Sequence, residues 1–75
     1  MSISYFEEMI PTDEKGSIKR NIDVYTDQQT LFISISPPNI DHDIEFQLVL
    51  NEDTFLKFYE AVKNSGEALG WLKVS

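Results

Sequence analysis

The sequence predicts a small α+β domain: an antiparallel β-meander of three to four strands, then one C-terminal amphipathic helix packed on one face. Three observations carry this. Two stretches, 30–36 and 43–50, alternate apolar and other side chains with a period of two, the signature of strands with one buried face. A third, 18–26, does the same more weakly. Near the C-terminus the period changes to that of a helix, with Phe55, Phe58, Tyr59 and Val62 at i, i+3, i+4 and i+7.

The elements follow in chain order. Residues 2–10 admit two readings. Ser4 and Glu7 have capping-box spacing, and Phe6, Met9 and Ile10 would then form one face of a short helix. The alternative is a strand that turns through Asp13-Glu14-Lys15-Gly16, and the good turn and the extended segment after it favour this one. In 18–26, Ile22 and Val24 point inward while Asn21, Asp23 and Tyr25 point outward. Asp27-Gln28-Gln29 joins it to 30–36 as a short hairpin loop, whose lack of glycine leaves the turn type open. There Leu31, Ile33 and Ile35 face the core, and Pro37-Pro38 ends the strand because proline has no N–H for the ladder. In 43–50, Ile44, Phe46, Leu48 and Leu50 form the inward set. Asn51 is placed to cap the helix, Glu52 and Asp53 suit its positive end, and Gly66 is the expected stop. Leu69, Trp71, Leu72 and Val74 are too apolar for a free tail and are expected to fold back over one end of the core.

Length and composition limit the function. Seventy-five residues make a single domain spanning 1–75, with a modest core. The 41% hydrophobic content exceeds that of a disordered chain. There is no cysteine, which excludes disulfides, thiolate metal sites and a cysteine nucleophile, and a single histidine excludes a multi-histidine site. No cofactor is implied. Thirteen acidic residues against six basic ones give a net charge of −7, which repels phosphate backbones and anionic membranes. No direct nucleic-acid binding, membrane association or small-molecule substrate is therefore expected. The first eleven residues lack a basic region and do not read as a signal peptide, and no apolar run approaches the ~20 residues of a membrane span. A cytoplasmic location is the expectation.

Few constellations bear on chemistry. Asp41-His42-Asp43 gathers two carboxylates and an imidazole, yet in an extended chain His42 points away from both. It reads as a polar loop rather than a metal site or general acid. With no triad, phosphate loop or ligand spacing, the chain is not expected to be an enzyme. More informative is the sheet face opposite the main apolar set, where Tyr25, Phe32 and Val49 fall. It is either covered by the N-terminal segment or the Trp71 tail, or it is a surface for a protein partner or a second copy. A stacking platform for single-stranded nucleic acid would need a basic surround that is missing here. Asp41, Asp43 and Glu45 lie in and beside the loop entering the last strand and complete the candidate partner-binding set. The expected function is thus a non-enzymatic protein-binding module: a regulator or inhibitor of immunity, antitoxin or phage type acting through an acidic and aromatic surface. The alternatives are a homo-oligomeric accessory protein and an acidic mimic of nucleic acid that occupies a basic site.

Overall fold

Residues 2–38 and 43–72 of the computed structural model are described below. Four strands precede one helix: β1 (Ile3–Pro11), β2 (Lys19–Asp27), β3 (Thr30–Ser36), β4 (Phe46–Leu50) and α1 (Glu52–Ala68). The strands form one antiparallel meander in the order β1-β2-β3-β4, so each pairs with its sequence neighbour. The α+β class and the strand reading of the N-terminal segment are both met.

Register explains the side-chain sorting. Ile22 pairs with Ile35 and Val24 with Ile33, while Ile33 pairs with Leu48 and Leu31 with Leu50. Because alternate residues face opposite ways, these side chains share one apolar face across β2, β3 and β4. Phe6, opposite Val24, extends that face onto β1. Tyr25 pairs with Phe32, and Phe32 with Val49, on the other face. The register of β1 shifts between Ser4 and Phe6, leaving Tyr5 as the extra residue of a bulge on an edge strand.

The loops are explained by local chemistry. Between β1 and β2, Asp13 accepts hydrogen bonds from the Ser17 hydroxyl at 2.6 Å and the Ser17 amide at 2.8 Å. These bonds, the hydroxyl's above all, hold its carboxyl below the ordinary aspartate range. Gly16, at φ +73°, takes the left-handed position of this turn. The β2–β3 hairpin has a two-residue loop in which both Gln28 (φ 50°) and Gln29 (φ 63°) are left-handed. A primed hairpin turn demands this of its central residues, and here it is met without glycine.

Four expectations about the C-terminal half need correction. The strand predicted over 43–50 begins only at Phe46, so Ile44 leaves the inward set and lies instead beside Asp23 and Tyr25 on the aromatic face. The helix does not stop at Gly66. It runs to Ala68 and ends at Gly70 (φ +78°), with Gly70 N–H donating to Glu67 O and Trp71 N–H to Gly66 O in a Schellman arrangement. Gly66 instead leaves room for Leu72 to fold back against the helix, since a Cβ there would meet Leu72 Cδ1 at 3.0 Å and the leucine would have to shift.

Third, the helix is amphipathic as predicted but its stripe is not laid over the sheet. Phe58, Tyr59 and Val62 are 42, 54 and 55% exposed, and among the described residues the helix meets chiefly β4, with Phe55 of its first turn beside the adjoining hairpin. The connection is short. A single residue, Asn51, separates β4 from α1, and a capping box with Thr54 holds it: Thr54 N–H donates to Asn51 Oδ1 and Asn51 N–H to Thr54 Oγ1, both at 3.0 Å. The box fixes the first turn of the helix, and from there the helix runs on from the end of β4 without lying across the sheet. The Leu69–Leu72 segment likewise closes no core: Leu72 turns back on Gly66 and Trp71 is 78% exposed. Val74 lies outside the described residues. Among those described, no hydrophobic side chain is fully buried.

Candidate functional site

Strands β2, β3 and β4 each supply part of the aromatic face, and the pairing of Tyr25, Phe32 and Val49 aligns them in one row across it. Tyr25 and Phe32 stack with ring centroids 5.1 Å apart and planes 15° from parallel. The Tyr25 hydroxyl is held by its neighbours. Gln47 Nε2 donates to it at 2.6 Å and to Ser34 Oγ at 2.9 Å, and the Ser34 hydroxyl lies 3.4 Å from the phenol oxygen. This network encloses Ser34, which at 6% exposure is the one buried residue among those described. Gln47 and Ser34 were not singled out in the sequence. Their signal was present: two polar residues on the outward positions of adjacent strands flanking an aromatic pair.

Acidic side chains border the network. Glu7 on β1 pairs directly with Asp23 on β2, and Ser4 donates to Asp23 Oδ1 at 2.6 Å. Neither carboxylate is ion-paired among the described residues. With Asn21, Ser34, Tyr25 and Ile44 they line a shallow depression of about 250 Å³. Two like charges side by side on adjacent strands repel, so this pair favours a cation brought from outside.

The candidate residues do not all gather here. Tyr25, Phe32 and Val49 lie together, Val49 being 59% exposed at the β4 side of the row. Asp43 is exposed in the segment before β4. Glu45 is carried elsewhere: its Oε1 accepts from Arg20 Nε at 2.6 Å, and Arg20 belongs to the apolar face with Ile22. Glu45 and Arg20 share a cleft there with Ile35 and Phe46. Asp41, and with it His42, lies outside the described residues. Neither the N-terminal segment nor Trp71 covers the aromatic row, because β1 pairs at the sheet edge and Trp71 projects from the far end of the helix.

Among the described residues there is no group of three or more histidine, cysteine or acidic side chains able to hold a metal ion. Nor is any helix there long and apolar enough to cross a membrane. No family model, curated protein or solved structure matches this chain.

Proposed function

We propose that this chain is a non-enzymatic protein-binding module, a cytoplasmic regulator or inhibitor that holds a basic segment of a partner protein against its aromatic face. One observation carries the reading: a carboxylate pair, Glu7 and Asp23, that no described residue neutralises stands beside a phenol whose position three side chains already hold. The Tyr25 oxygen accepts from Gln47, which leaves its own O–H free to donate outward. The Tyr25–Phe32 stack offers a ring face to a guanidinium or ammonium, and the carboxylates offer the counter-charge. Holding these groups in place before binding lowers the ordering cost that a partner would otherwise meet.

A photo-crosslinking residue placed at Val49 tests this in source lysate. The expected product is a discrete adduct that fades as salt rises and drops more than tenfold in a Glu7→Lys/Asp23→Lys variant of unchanged circular dichroism. An adduct equally strong in that variant would refute the charge-directed reading. A homo-oligomeric reading is favoured by a different observation, the absence of a buried hydrophobic side chain among the described residues, but through the face opposite Tyr25 and Phe32 rather than through the aromatic face first considered for a second copy.

A further inference from the structure

We infer that the apolar face of the sheet is covered by the helix of a second copy of this chain, in a two-fold dimer in which each helix lies across its partner's sheet. Area is the first argument. The chain exposes 6315 Å², whereas a folded monomer of 8.7 kDa should expose about 4,700 Å². The excess, ~1,600 Å² on each chain, amounts to an interface of ~3,200 Å² in a pair, within the range of obligate homodimers. The radius of gyration agrees: 14.1 Å against about 11 Å for a self-contained domain of this length.

Shape and chemistry select the occupant. Ile22, Val24, Ile33 and Leu48 form the middle of the apolar face, and none of them is buried. The chain itself carries the complementary object, an unpartnered helix with Phe58 and Val62 on its apolar stripe. At 17 residues the helix is about 25 Å long, which matches the ~23 Å of a seven-residue strand such as β3. The helix leaves β4 through the single residue Asn51 and does not lie across its own sheet, so its stripe is open to the sheet of another copy. A two-fold axis satisfies both chains at once, each giving a helix and receiving one. The chain has no disulfide with which to stabilise a core this open, and association is one of the routes by which domains this small gain stability. This pairing uses the face opposite Tyr25 and stands independently of what binds there.

The test combines mass with connectivity. Light scattering from about 1 to 100 µM should give the dimer mass, with a thermal midpoint that rises with concentration. Because the natural chain has no cysteine, an Ile33→Cys/Val62→Cys variant treated with a short bis-maleimide reports which sheet each helix meets. The expected product on a denaturing gel is a covalent dimer, absent from either single variant. Val62→Glu changes a side chain already half exposed in the single chain and should weaken the dimer at least 100-fold. Monomer mass at the highest concentration, a bis-maleimide bridge confined within one chain, or a dimer indifferent to Val62→Glu would each overturn the proposal. A single chain whose helix closes over its own sheet would give the first two results, and a different partner on this face would give the first alone.

Discussion

Ser34 shows how much a single position owes to its neighbours. By type it belongs outside, and by alternation it points away from the apolar set, yet it is the one buried residue among those described because Tyr25 and Gln47 close over its hydroxyl. Gln28 and Gln29 show the converse, where local strain is tolerated because the strands on either side are already paired. A left-handed backbone at a residue with a Cβ costs ~1–3 kcal/mol. Replacing Gln28-Gln29 by Asn-Gly, the pair best suited to both positions, should therefore stabilise the hairpin by about 1–2 kcal/mol. A urea melt that shows no gain would mean that the glutamine side chains contribute something the turn geometry does not reveal.

Among the elements, the helix is the most self-sufficient and the least anchored. Its start is fixed by Asn51 and Thr54, its first turn carries Glu52 and Asp53, and its end closes on Gly70. Little of its length touches its own sheet. Its stability within one chain therefore rests on capping and propensity more than on packing. Asn51→Ala should cost about 1 kcal/mol, read as lower helicity and an earlier urea midpoint. A larger loss would follow if the cap also sets the angle at which the helix leaves β4. The strands behave differently, since β2 and β3 are each paired on both sides while β1 and β4 are edges. β1 blunts its edge with the Tyr5 bulge and with charge at Glu7 and Glu8.

At the scale of the whole molecule, the two proposed contacts should respond to salt in opposite senses. Each copy carries −7, so bringing two together works against long-range repulsion, and screening relieves it. Contact between the apolar faces is correspondingly favoured by salt, while capture of a basic partner at Glu7 and Asp23 is weakened. Raising sodium chloride from ~50 to ~500 mM should hold or tighten self-association and lower partner capture by tenfold or more. Sedimentation velocity and crosslink yield, followed over the same salt series, check both halves. A common trend in the two would show that one surface serves both contacts.

Period-two alternation was enough to place β2, β3 and the inner positions of β4, and helical spacing behind Asn51 was enough to place α1, because these signals are local and each is repeated several times. That Tyr25, Phe32 and Val49 share a face was legible for the same reason, since alternation assigns them to it before the strands are aligned, while their direct pairing came only with the register. The position of Glu45 was not, since its bond to Arg20 spans 25 residues and depends on where β4 begins. Gly66 was misread as a helix stop because composition cannot separate a glycine that ends a helix from one that admits Leu72 against it. Above all, periodicity reports that a helix has an apolar stripe but not what lies against it. That depends on the angle at which the helix leaves β4, a long-range property that no local pattern encodes, and here the helix does not lie across the chain's own sheet.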